Sequence, residues 1–383
     1  MRVDSDKEQS TCYTLSEIEG QPHLWKKVFQ QISKEEPAIR RFFQDHITPE
    51  TEIVLTGAGS SAFIGEAVEA YVQKETGCRT RAIATTQLVT NPDLFLEPHR
   101  PTLLISFARS GNSPESIATV ELADQICGEN MVHLIITCND EGILMNYARQ
   151  NPERNYAILL PEESNDKSLA MTGSFTSMLL CILLIIRKKP FQYSAAAVEH
   201  IAAQGNHILK HSDLFNRLIN QEFDRVVFLG SGPLVGIARE CHLKLQELTD
   251  GKVICKHDSF LGFRHGPRAV VNEKTLVVYL FSNNDYSRKY EIDLARSINN
   301  ENHKIACLSI GKIVPENLSN ATTFELLKNT INYPDFDMIP FTLIGQLLGY
   351  HRSIGTGLNP DNPSVSGAIN RVVQGVTIYP FKD

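Results

Sequence analysis

The chain has 383 residues, of which 42% are apolar and 21% charged, and its formal net charge is −7 at pH 7. That composition excludes a disordered polymer, and an acidic balance without Lys/Arg runs excludes a general binder of nucleic acid or of anionic membrane. The eight cysteines are scattered, with no CxxC pair and no Cys/His cluster at zinc spacing, so they read as reduced thiols of a cytoplasmic protein that holds no metal.

The opening stretch MRVDSDKEQSTCYTL is polar and acidic, unlike a signal peptide. Residues 14–48 carry helical patterning, with Ser16 as N-cap and with Pro22 and Pro37 expected to cut the stretch into short helices. Strand-like runs follow: EIVLTG from 52, RAIAT from 81, TLLISF from 102, VHLIITC from 132 and YAILL from 156. Amphipathic stretches at 61–74 and 114–127 lie between them, and this alternation predicts a parallel sheet covered by helices on both faces. From Ser168 to Ile186 the chain carries no charge and ends in SMLLCILLII, but its polar first half does not suit a lipid-facing span. We expect a helix in the core or at a subunit contact, and no membrane segment.

The second half repeats the first at a constant offset of 173. VLTGAGSSAFIG from 54 lines up with VFLGSGPLVGIA from 227, which sets Gly57 over Gly230 and Gly59 over Gly232. The same shift sets TLLISF over TLVVYLF and VHLIITC over IACLSIG. The fold class is therefore α/β, with two tandem domains, each a parallel sheet flanked by helices. The expected divisions are an N-terminal helical segment over 1–48, a first domain over 49–200, and a second over 201–383 that includes a C-terminal tail.

In an open parallel sheet, ligands bind beyond the carboxyl ends of the strands, where helix N-termini present N–H groups. FARSGNSPES (107–116) is such a strand-to-helix turn. Gly111 permits a tight loop, and Ser113 is placed to cap a helix that Pro114 opens. The candidate phosphate ligands are Arg109, Ser110, Asn112 and Ser113, joined by Ser60 and Ser61 from the earlier TGAGSSAFIG turn. Hydrogen bonds to a charged group contribute about 1.5–3 kcal/mol each, so a few of them outweigh a mildly acidic surface. No GK[ST] follows, and no GxGxxG with a later acidic residue is present, so neither a nucleotide loop nor a dinucleotide cofactor is indicated. In the second repeat the offset replaces Ser110-Gly111-Asn112-Ser113 with Asn283-Asn284-Asp285-Tyr286, whose aspartate repels an anion. Phosphate is expected in the first domain alone.

The second domain offers a different chemistry. Helix 236–251 places Ile237, Cys241, Leu245 and Leu248 on an inward stripe, while Glu240, Lys244 and Glu247 share another face. Spacing alone is equally satisfied by a solvated ion pair there. His265 stands in a loop between Arg264 and Gly266-Pro267.

The paired domains, SGNSPES, LKLQE and RHGP together resemble the sugar isomerase (SIS) family, which handles phosphosugars. LKLQE and RHGP are similar to the isomerase half of glucosamine-6-phosphate synthase. That resemblance implies that Glu247 moves a proton between C1 and C2 with Lys244 beside it, and that His265 assists ring opening, often from the neighbouring subunit of a homo-oligomer. No glutaminase nucleophile is expected, because Arg2 follows Met1. The tail NPSVSGAINRVVQGV (362–376) places Gln374 where the synthase has a lysine that engages the ketose. With ARSGNSPES and GFRHGP, this tail resembles still more closely the SIS group of tagatose-6-phosphate ketose/aldose isomerases and galactosamine-6-phosphate deaminases. The resemblance implies an amino-sugar phosphate deaminase/isomerase without cofactor. The alternatives are plain isomerisation of tagatose 6-phosphate, or a phosphosugar sensor that needs the loop but not the acid/base pair.

Overall fold

Residues 12–188, 191–301, 306–328, 333–373 and 375–382 are described by a computed structural model. Gln374 lies outside them. The five apolar runs of the first half form β1 (Glu52–Thr56), β2 (Thr80–Ala82), β3 (Thr102–Ala108), β4 (Met131–Thr137) and β5 (Asn155–Leu159). All pair in parallel, in the order β2-β1-β3-β4-β5. The second half forms β6 (Arg225–Gly230), β7 (Ile254–Ser259), β8 (Thr275–Leu280), β9 (Ala306–Gly311) and β10 (Ala321–Glu325). Their order, β10-β9-β8-β6-β7, is that of the first sheet strand for strand. Two tandem α/β domains of one topology are therefore present.

The helices of the first half are α1 (Tyr13–His46), α2 (Ser60–Thr76), α3 (Thr85–Thr90), α4 (Pro92–Phe95), α5 (Pro114–Cys127), α6 (Ile143–Gln150) and α7 (Gly173–Ile185). Those of the second are α8 (Gln192–Lys210), α9 (Ser212–Ile219), α10 (Pro233–Leu248), α11 (Phe260–Phe263), α12 (Asp285–Glu301) and α13 (Thr342–Gly355). Strand residues alternate between faces. Ile53, Leu55, Leu103 and Ile105 of the first sheet, with Val226, Phe228, Leu276 and Val278 of the second, belong to one core shared with α1, α2, α7, α8, α10 and α13. Val54, Leu104 and Ile135 face a smaller outer cluster with α5, and Val227, Val277 and Tyr279 face its counterpart with α12. The two sheets thus enclose a common inner layer of helices. No disulfide joins cysteines among the described residues.

Two local expectations change, and a third resolves to one of its alternatives. Pro22 and Pro37 do not break α1, which runs unbroken for 34 residues. The Ile18 carbonyl, deprived of its N–H partner at Pro22, accepts from Gln21 Nε2 at 3.3 Å, and Pro22 is buried where α1 crosses α8 at Gly205. Ser16 is not the N-cap, because the helix begins at Tyr13. Asp361 of the tail caps it instead, accepting from Tyr13 N at 3.0 Å and from Thr14 N at 2.7 Å. Every residue of α7 is buried, so its apolar sequence is accounted for inside the chain and does not of itself call for a subunit contact. Among the described residues no helix is long and apolar enough to cross a membrane.

The repeats face one another across a pseudo-two-fold relation. Glu66 pairs with Arg239, and Lys26 with Glu199 at 2.5 Å, and each pair joins positions 173 apart. Helix α8 is therefore the counterpart of α1, and the division expected at residue 200 falls inside it. At the centre α2 meets α10 so closely that a Cβ on Gly236 would lie 2.6 Å from Ala67 N. Backbone cannot yield as a side-chain tip does. Gly236→Val is expected to cost about 1–3 kcal/mol through overpacking, read as a lower thermal midpoint; an unchanged midpoint would mean the seam has room to spare.

Candidate active site

The site forms where the β1–α2 and β3–α5 turns meet at the carboxyl edge of the first sheet. Gly57 has no space for a side chain, since a Cβ would lie 2.6 Å from the Ser61 carbonyl carbon. Gly59 precedes α2 at φ 56° and ψ −128°, a conformation that favours glycine. Its counterpart Gly232 adopts φ 55° and ψ −125°, so the two turns are the same turn. In the second loop Ser113 caps α5, accepting from Ser116 N at 3.3 Å, and Pro114 takes the first helical position, as expected.

Two adjoining chambers result. The first is lined by Ser61, Ser110, Gly111, Ser113 and Ser116, with Met171 and the tail residues Arg371 to Val373. Four hydroxyls at two helix N-termini form an anion-binding arrangement. The second is lined by Ser60, Lys244, Gln246, Glu247 and Asp250, with tail residues Ala368 to Arg371. The chambers share Ala58, Arg109, Met171, Arg371 and Val373. A residue of the second repeat thus meets a loop of the first, because α10 packs on α2.

The face of α10 that spacing left open to a solvated reading is buried. Lys244 Nζ lies 3.4 Å from Glu240 Oε1 and pairs with Glu247, with side-chain exposures of 1%, 0% and 15% for Lys244, Glu240 and Glu247. Burial lifts the Glu240 carboxyl to about 7; the nearby Glu247 charge adds to this, while Lys244 and the Ser60 hydroxyl oppose it. Burial works to lower the Lys244 pKa, but the two carboxylates outweigh it and hold the ammonium above its usual value. The arrangement is a charged lysine between two carboxyl groups, one of them poised near neutrality. Such a cluster is able to exchange protons near neutral pH.

The remaining expected ligands divide. Asn112 does not line either chamber; its Oδ1 accepts from Ile143 N at 2.9 Å and so holds the loop against α6. The guanidinium of Arg109 is turned to carbonyls, donating to Leu169 O at 3.1 Å and to Arg371 O at 2.5 Å. Its contribution is to fasten the tail over the loop. His265 is exposed, beyond α11, and lines neither chamber of its own chain. Arg371 was missed by sequence reasoning. Its Nε donates to Asp166 O at 2.8 Å and its Nη2 to Asn165 Oδ1 at 2.8 Å, which seats the tail between the chambers. Nothing in the local pattern of the tail signals this, because its partners lie some 200 residues away. Among the described residues no three His, Cys, Asp or Glu side chains gather as a metal site.

Because the Glu240 pKa is raised on folding, the folded chain keeps a proton that the unfolded chain releases between about pH 4.5 and 7. In that window this group makes stability fall as pH rises, and the full cost is present above about 7. Glu240→Gln removes the term. Denaturation midpoints at about pH 5 and about pH 7.5 should shift in favour of the variant at the higher pH; a constant difference would reject the assignment.

Comparison with known proteins agrees with this architecture. The SIS domain model matches residues 46–188. D-galactosamine-6-phosphate deaminase AgaS of Shewanella sp. (strain ANA-3) is 40% identical over 383 aligned residues, covering 98% of this chain and 94% of that one. The crystal structure of tagatose-6-phosphate ketose/aldose isomerase from Escherichia coli superposes with a TM-score of 0.88 at 35% identity, covering 97% of each chain. The C-terminal domain of glucosamine-fructose-6-phosphate aminotransferase from Francisella tularensis shares the fold, with a TM-score of 0.76 at 18% identity over 92% of this chain and 99% of that one. With two matched sheets, a serine-lined turn between strand and helix, and full-length relatives of this similarity, the chain belongs to the SIS domain family.

Proposed function

We propose that the protein is an enzyme that converts galactosamine 6-phosphate and water to tagatose 6-phosphate and ammonia. The observation that carries this reading is the common wall between the serine-lined chamber and the buried Lys244–Glu247 pair. The similarity to AgaS over nearly the whole chain supports the choice of substrate.

The phosphate docks on the hydroxyls of Ser61, Ser110 and Ser113 and on the N-terminus of α5, which leaves the sugar carbons in the second chamber. In the open-chain aldehyde, Glu247 removes the proton from C2 while Lys244 hydrogen-bonds O1 and stabilises its developing charge. Lys244 passes a proton to O1, which gives the enolamine and leaves the amine neutral. Glu247 then returns its proton to C1, and the nitrogen lone pair forms a C2 iminium. Water adds to C2 and loses a proton that recharges the Lys244–Glu240 pair; the new hydroxyl proton passes to nitrogen as the C–N bond breaks, and ketose phosphate and ammonia leave. Glu240, with its carboxyl near neutrality, restores the protonation state of Lys244.

The isomerase that superposes on the chain supports a second reading, in which tagatose 6-phosphate is interconverted with its aldose through the same enediol step. A panel of galactosamine, glucosamine and tagatose 6-phosphates, assayed for both ammonia and ketose, separates the two. Ammonia from galactosamine 6-phosphate is expected, and none from any hexosamine phosphate would sink the deaminase. Glu247→Gln should lower turnover about 10²–10⁴-fold and leave phosphosugar affinity in place, whereas a sensor has no turnover to lose.

His265 completes the site from a second copy of the chain, since it lines neither chamber of its own. If so, mixing Glu247→Gln with His265→Ala chains rebuilds one intact site per mixed dimer and restores about a quarter of wild-type turnover. Failure of any mixture to recover activity would reject a site shared between copies, and full activity of His265→Ala alone would place His265 outside the reaction. The absence of disulfides among the described residues fits a reducing compartment, and we place the reaction in the cytoplasm.

A further inference from the structure

The second repeat has a pocket of its own at the equivalent strand ends, lined by Ser231, Ser282, Asn283, Ser287 and Asp337, with Tyr71 entering from α2. The offset of 173 maps the loop containing Ser231 onto the turn before Ser60, and that containing Ser282 and Asn283 onto Arg109 and Ser110. It also maps Tyr71 onto Lys244, Lys74 onto Glu247 and Ala67 onto Glu240. Each repeat therefore lends one helix to the other's pocket: α10 reaches the first and α2 the second.

The twin pocket keeps the shape but not the chemistry. In place of a lysine between two carboxyl groups it has a tyrosine, whose phenol burial pushes up to about 12 and so keeps neutral. An anion is also disfavoured. Three basic side chains near the pocket are already engaged: Lys312 with Asp337 at 2.6 Å, His200 Nε2 with Asp337 at 3.1 Å, and Arg288 with Asp285 and the Ser282 carbonyl. Asn284, in the position of Gly111, caps α12 itself, accepting from Tyr286 N and Ser287 N at 3.0 Å. Behind the wall Glu291 is fully buried; its Oε2 accepts from Ser282 N at 2.8 Å, and the Ser231 hydroxyl also bonds to its carboxyl, so it holds two of the wall's residues in place. A wall of hydroxyls and an amide beside the Asp337 carboxylate suits a ligand that exchanges hydrogen bonds and carries no negative charge.

We propose that this second pocket binds an uncharged polyhydroxylated molecule, an unphosphorylated hexose or hexitol, and performs no reaction on it. The inference is independent of which phosphosugar the first repeat converts.

Galactitol is the probe, because it has neither the phosphate that the first repeat grips nor a carbonyl to react. Calorimetric titration of the full chain should show saturable binding at a single site. Ser113→Ala, in the phosphate chamber, should leave that binding intact. Asn283→Leu should weaken it about tenfold or more. Ser287→Phe, which blocks the pocket without touching the Asp337 pairs, serves as a second variant should Asn283→Leu fail to fold. Turnover of the phosphosugar should persist in both, since neither residue lines the catalytic chambers. Absence of saturable binding overturns the proposal, as does binding that Ser113→Ala abolishes or that survives in a folded second-repeat variant.

Discussion

The contact between α2 and α10 is the constraint on which the rest of the molecule depends. These helices are counterparts in the duplication, and they meet across Gly236 and Ala67 with no room for another atom. The Glu66–Arg239 pair crosses the same seam, and Gly345 of α13 clamps α10 from its other side, where a Cβ would lie 2.5 Å from Cys241 Cα. A helix held this tightly cannot roll. Lys244 and Glu247, which it carries, are consequently fixed beneath the strand ends of the opposite repeat before any substrate arrives. Preorganisation of this kind is what makes charged groups effective in a site from which water is excluded.

Burying a lysine with two glutamates is expensive in desolvation, and such clusters contribute little to stability by themselves. Within the cluster the two carboxyl groups keep the ammonium charged, while burial lifts the Glu240 pKa to about 7 against the pull of that ammonium. A net charge of −7 is compatible with a local anion site, because hydroxyls and helix N-termini act at short range. Duplication made this division of labour possible. One copy carries the serine-lined turns, and the other carries Glu240, Lys244 and Glu247.

The tail integrates the arrangement. Asp361 caps α1, its backbone oxygen accepts from Leu169 N at 3.0 Å, and Arg371 is seated on the loop at Asn165 and Asp166 while its carbonyl takes a bond from Arg109. A segment without helix or strand is thereby held across both repeats by side chains at its fixed points. It forms one wall of each chamber.

Much of this was legible in the residues. The periodicity of apolar runs predicts each strand of the first sheet, and Ser113-Pro114 predicts the start of α5, because those signals reside in neighbouring positions of the chain. The gap-free offset predicts two copies of one fold, and it places Gly57 and Gly59 over Gly230 and Gly232, since a turn that demands glycine demands it in both copies. What spacing could not decide is whether Glu240, Lys244 and Glu247 face water or protein, as an isolated helix looks the same either way. Tertiary packing decided that, and with it the unbroken passage of α1 through Pro22, the capping by Asp361 instead of Ser16, and the diversion of Arg109 to the tail. Each depends on a partner distant in the chain, and local pattern holds no record of distant partners.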